Sequence, residues 1–184
     1  MVLPGHLAGG YLGAVALLAI THAGVASGLS HEQINVLLVL GTLAGELPDL
    51  DLLRLHYEET HGGRKVESHR NYFTHAPSFW LLVSLVVVGC GYIFSSAFTE
   101  LIGGLILTGS WSHLIFDSIE DGVMWLWPFN TKRFDIVNKT YQGVDGGPHS
   151  MRYYWNFIIR EYSKLWTCYA EIFVMVVAIW ALTR

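Results

Sequence analysis

Nine histidines and fifteen acidic side chains are spread over 184 residues, and five groups of them have the types and spacing of a cation site. His6 stands before a long apolar run. Glu46, Asp49 and Asp51 follow one another through Glu46-Leu-Pro-Asp-Leu-Asp51. His69 and Arg70 precede Thr74 and His75 by a few residues. His113 and Asp117 are four apart, and Glu171 lies just inside the last apolar stretch. On a helix, residues four apart share one face, so His113 and Asp117 can present an imidazole and a carboxylate together. Pro48 ends the helix before it, leaving Asp49 and Asp51 on a turned or extended segment whose carboxylates can reach a common centre. His69 and His75, six apart, do not share a helical face and are expected to flank a turn ending at Pro77. Imidazole and carboxylate donors without thiolates suit zinc, manganese or iron. They favour a catalytic zinc site over a structural one.

The elements that must position these groups are membrane spans. Apolar residues make up 52% of the chain and charged residues 14%, with a mean hydropathy of +0.39, whereas an average soluble protein is about 25% charged. Stretches 7–28, 78–97, 98–116 and 166–182 are each about long enough to cross a bilayer as helix. A shorter one, 34–47, ends at Pro48 and completes a set of about five. The first run follows no charged segment and lacks a cleavage pattern, so it reads as a retained span and not a signal peptide. Glycines recur within the runs, as in closely packed transmembrane helices. The fold expected is therefore all-α: a polytopic membrane helical bundle forming one integral domain over residues 1–184.

Five spans sort the basic residues. Arg54, Arg64, Lys65, Arg70, Lys132, Arg133, Lys139, Arg152, Arg160 and Lys164 fall on the side of the N-terminus and the two long loops, and only Arg184 on the other. Basic residues stay cytoplasmic, so the N-terminus and both loops are expected there. Odd spans begin and even spans end on that side, which brings all five groups to one membrane face. Acidic and basic groups near a bilayer are expensive to bury, so a functional role is the default reading for His113 and Asp117. Two loop segments read as interfacial. Residues 122–129 are apolar but too short to span, and 151–165 form an amphipathic helix rimmed by aromatics, suited either to the headgroup layer or to packing on the protein's own loops. Cys90 and Cys168 lie in apolar runs and exclude a disulfide framework. No long basic run points to nucleic acid.

Gly5-His6-Leu7, Leu47-Pro48-Asp49-Leu50-Asp51, His69-Arg70, Phe73-Thr74-His75, Ser112-His113 through Asp117 and Leu126-Trp127-Pro128, in this order over residues 4–130, resemble the YdjM-like family of inner-membrane metal-dependent hydrolases. That family is grouped with zinc-dependent phospholipases C and single-strand nucleases, which hold several zinc ions on helix-borne His and Asp. The chain departs from the family pattern at Leu52, Ser68, Asn71 and Ala76; residues 131–184 carry the loop, the interfacial helix and the last span.

The expectation is a membrane-embedded hydrolase of the bacterial or archaeal plasma membrane, cleaving an amphiphilic phosphoester such as a phospholipid at the cytoplasmic face. Candidate ligands for one to three divalent ions are His6, Asp49, Asp51, His69, His75, His113 and Asp117. Asp51 or Glu46 is the candidate general base, and Arg70 the group that steadies a phosphate. The alternative is a non-catalytic membrane adaptor with a structural metal.

Overall fold

A computed structural model of the chain describes residues 3–61, 69–137, 158–159 and 162–183. Among these residues the secondary structure is helical, with a single isolated bridge between Val123 and Phe134. The helices are α1 (Leu3–Thr21), α2 (His31–Ala44), α3 (Asp51–Thr60), α4 (Pro77–Ile93), α5 (Ala97–Glu120) and α6 (Trp166–Leu182). Short 3₁₀ turns cover Leu47–Leu50, His69–Asn71, Phe73–His75 and Tyr162–Lys164.

Helix α1 packs on α2, α5 and α6, while α5 packs also on α4. Small residues set this closeness. A Cβ at Gly45 would fall on the backbone carbonyl oxygen of His6, and one at Gly109 would lie 2.5 Å from the Cβ of Ala44. The start of α1, the end of α2 and the later part of α5 are thereby held at backbone contact.

Alongside an apolar core that includes Leu37, Leu105 and Leu114, the chain buries polar groups and exposes large apolar ones. His6, His75, His113, Asp117 and Glu171 are buried, whereas Leu82, Leu85 and Val86 of α4 and Phe173, Val176 and Ile179 of α6 are exposed. Water would not favour that arrangement; hydrocarbon would. By length and composition, α1 alone among the described residues is long and apolar enough to cross a membrane, and α4 and α6 are apolar helices of 17 residues. The five spans read from the sequence are thus not all matched by helices of spanning length. Helix α2 has 14 residues, or about 21 Å of rise, against a hydrocarbon core of about 30 Å. Its end follows from Gly45 and from Pro48, which opens the next turn.

The segment after Pro48 is also more helical than expected. Asp51 opens α3, so the stretch read as turn or loop becomes a turn followed by a ten-residue helix. The proposed interfacial helix over 151–165 lies largely outside the described residues; within it, residues 158–159 are helical and Tyr162–Lys164 form a 3₁₀ turn.

Candidate metal centre

Helix ends from separate parts of the chain meet at one point. His6 enters from the first turns of α1, Asp49 from the 3₁₀ turn after α2, His75 from the turn before α4, and His113 and Asp117 from one face of α5. His6, His75, His113 and Asp117 are buried, and Asp49 is 23% exposed.

The separations are informative. Nε2 of His75 lies 3.5 Å from Asp49 Oδ1 and 3.7 Å from Asp117 Oδ2. Nε2 of His113 lies 3.5 Å from Asp49 Oδ1 and 3.6 Å from Asp117 Oδ2. These gaps are long for charge-assisted hydrogen bonds, which run about 2.7–2.9 Å. A tetrahedron of nitrogen and oxygen donors with bonds of about 2.1 Å has edges of about 3.4 Å. Each of these four His–Asp separations is close to that edge, the spacing of two ligands that share a small cation.

The second nitrogen of each ring shows which way the lone pair faces. His113 Nδ1 donates to the Gly45 carbonyl at 2.7 Å. His75 Nδ1 donates to Asp51 Oδ2 at 2.7 Å, an oxygen that also accepts from Thr74 Oγ1 at 2.6 Å. Both partners are acceptors, so Nδ1 carries the hydrogen and Nε2 presents its lone pair inward. His113 Nε2 is buried without a hydrogen-bond partner among the described residues, a costly arrangement for a buried polar atom unless a cation meets it.

His6 extends the group. Its ring stacks on that of His113 with centroids 3.7 Å apart, and its Nε2 is 3.6 Å from Asp117 Oδ1. His113 is therefore the member shared by two overlapping donor sets, Asp49 with His75 and His113, and His6 with His113 and Asp117. Within each set the donor atoms lie within 4.8 Å of one another.

The surrounding charges favour a cation. Burial works against a charged His75, but the Asp49, Asp51 and Asp117 carboxylates around it outweigh burial, raising the affinity of this imidazole for a proton above the usual value. Arg70 Nε donates to Asp117 Oδ2 at 2.8 Å, and its Nη2 lies 3.0 Å from Asp121 Oδ2. Burial again opposes the charge, yet the two carboxylates hold the guanidinium proton more firmly than usual. Burial also raises the Asp121 carboxyl despite Arg70.

Not every expected residue faces the centre. Asp51 belongs to neither donor set and stands behind His75 as its orienting acceptor. Arg70 spans Asp117 and Asp121, an anchorage the sequence reading did not include although Asp121 is one helical turn beyond Asp117. Both carboxylate oxygens of Glu46 are buried without hydrogen-bond partners among the described residues, and its charge is felt by His113, Asp49 and Asp117. His69 lies in the His69–Asn71 turn, its side chain outside the described set. Glu171 is engaged elsewhere: its Oε1 accepts from the Gly5 backbone amide at 2.9 Å and its Oε2 from the Tyr162 hydroxyl. It thereby satisfies one of the amides that the first turn of α1 leaves without a helical partner, and ties α6 to it.

Compared with known families, the whole chain, residues 1–184, matches the description YdjM inner membrane protein. The chain belongs to this family. Membership assigns it to the inner membrane proteins, in keeping with its apolar exterior, and extends past residue 130, where the sequence motifs end. No curated protein and no solved structure matches this YdjM family member.

Proposed function

We propose that this YdjM family member is a multi-pass membrane hydrolase that uses a divalent metal, most simply zinc, to cleave a phosphoester of a phospholipid or lipid-linked substrate. In this reading α1, α4, α5, α6 and the short, tilted α2 form five spans, and the site faces the cytoplasm because the basic loops do. The supporting observation is the square of four His–Asp separations at 3.5–3.7 Å, with both imidazoles locked by acceptors at Nδ1.

His75, His113, Asp49 and Asp117 would hold the cation, with His6 beside them. Thiolate-free nitrogen and oxygen donors fit zinc, manganese or iron. The ion would supply Lewis acidity, stabilising charge on a phosphoryl oxygen and making a water more acidic. The chain supplies the rest. Asp49, the exposed member of the set, marks the side from which substrate enters. Glu46 takes the proton of the attacking water. Asp51 holds the His75 ring, and Arg70 holds the Asp117 carboxylate in register. The kinship with zinc-dependent phospholipases C belongs to the same proposal and is an argument by analogy.

A second reading rests on one feature of the same geometry: His6, His75, His113, Asp49 and Asp117 together offer enough protein donors to fill a cation's coordination sphere, as a structural metal has it. A non-catalytic membrane adaptor would be built that way. Metal analysis of the purified protein, followed by phosphate release from a panel of lipids with Asp49→Ala as control, separates them. Metal-dependent release lost in the variant supports the hydrolase; bound metal with no release from any lipid supports the adaptor.

A further inference from the structure

The polypeptide leaving α5 doubles back. Val123 pairs with Phe134 through two backbone hydrogen bonds of 3.1 and 3.0 Å, closing a loop over residues 124–133. Within it, Trp125 Nε1 donates to Ser118 Oγ at 2.8 Å, and its ring meets that of Trp111 edge-on with centroids 6.0 Å apart. Trp111 lies nine residues before the end of α5, about 13 Å back along the helix. The carbonyl of Trp127 accepts from Ser78 Oγ at 2.6 Å, in the first turn of α4. The loop thus runs down the outside of the α4–α5 pair, back toward the apolar belt. Val123 and Met124 anchor its base in the core. Its tip is bare: Leu126 is 52% and Phe129 97% exposed. Lys132 and Arg133, both exposed, begin three residues after Phe129.

We propose that residues 124–133 form a membrane-dipping loop, with Leu126 and Phe129 among the acyl chains of the leaflet on the metal-centre side and Lys132 and Arg133 on anionic lipid headgroups. Three observations converge: the loop returns along the helix pair, its tip presents an aliphatic and an aromatic side chain that no described residue covers, and a basic pair sits where the headgroup layer would begin. Trp125 and Trp127 fit the interface between these zones, and a basic pair is drawn to an anionic leaflet. The inference requires that α4 and α5 lie in the bilayer, and it is independent of the metal and of any hydrolysis.

The test places a nitroxide label at Phe129→Cys in a Cys90→Ala, Cys168→Ala background, with the full chain reconstituted in phosphatidylcholine vesicles with or without phosphatidylglycerol. A label at Leu85→Cys, on the exposed face of α4, marks lipid contact, and one at Asp135→Cys marks water. The label at 129 is expected to favour oxygen over a water-soluble nickel chelate, as the one at 85 does, and to sit deeper in the anionic vesicles. That added depth should vanish in Lys132→Gln/Arg133→Gln. In the unmodified protein, a carbene generated from an acyl-chain photoprobe should mark the peptide containing residues 126–129. A label at 129 that behaves like the one at 135 overturns the proposal, as does one shielded from both reagents, which means that protein covers the tip. Equal depth in both vesicle types overturns the role of the basic pair. If the label at 85 itself reports water, the membrane placement of the helices is what fails.

Discussion

Replacing Asp51 by Asn separates a residue that holds a ligand from one that is a ligand. Asp51 Oδ2 accepts two short hydrogen bonds, from His75 Nδ1 and Thr74 Oγ1, and the residue is 4% exposed. Asn keeps the shape but removes the charge, and with it the charge-assisted share of both bonds. A hydrogen bond to a charged group contributes about 1.5–3 kcal/mol. Loss of an orienting partner behind a metal-bound imidazole typically weakens metal affinity by about 10- to 100-fold, or about 1.4–2.7 kcal/mol. The two scales agree. Competition of purified Asp51→Asn protein against a chromophoric chelator should therefore show an unchanged number of metals per chain and a dissociation constant raised by about 10- to 100-fold. Asp49→Asn should instead lose stoichiometric binding. Equal loss in both variants would make Asp51 a direct ligand and refute the assignment; no change in Asp51→Asn would refute the role of its bond to His75.

Further predictions follow from neighbouring contacts. Gly45→Ala drives a methyl group onto the His6 carbonyl and should lower stability by about 1–3 kcal/mol, with metal content falling alongside the melting temperature. Glu171→Gln weakens the ties to Gly5 and Tyr162 and should cost about 1–3 kcal/mol in thermal unfolding while leaving metal stoichiometry intact. In metal-free protein, His75 binds its proton more tightly than in the unfolded chain, so the stability it adds is full below the unfolded pKa of about 6.5. That stability is lost as pH rises through the raised folded value. Melting of chelator-treated protein against pH should show the decline, and His75→Gln should flatten it. Metal competes with that proton, so measured metal affinity should rise with pH over the same range.

Much of the donor set was legible because helix periodicity and membrane topology are local or additive signals. His113 and Asp117 are placed together by spacing alone, and the sorting of basic residues put His6, Asp49 and His75 at the same depth. What the sequence could not show is which atom faces which. Whether Asp51 meets a cation or the back of His75 depends on the ring orientation that Thr74 and the turn at Phe73–His75 impose. Asp121 as the second anchor of Arg70 had a signal, one turn past Asp117, but its meaning needed the packing of two segments far apart in sequence. Gly45 read as a packing glycine; its carbonyl as the acceptor for His113 is a tertiary fact. Helix α3 was concealed by Pro48, which ends one helix and opens the turn that starts the next.

X-ray absorption at the metal edge of the zinc-loaded protein tests the central claim most directly. The account predicts a first shell of nitrogen and oxygen at about 2.0–2.2 Å, outer-shell scattering from at least two imidazoles, and no sulfur. His113→Ala should remove one imidazole's share. A sulfur-containing shell, a shell without imidazole, or protein that takes up no metal would contradict it.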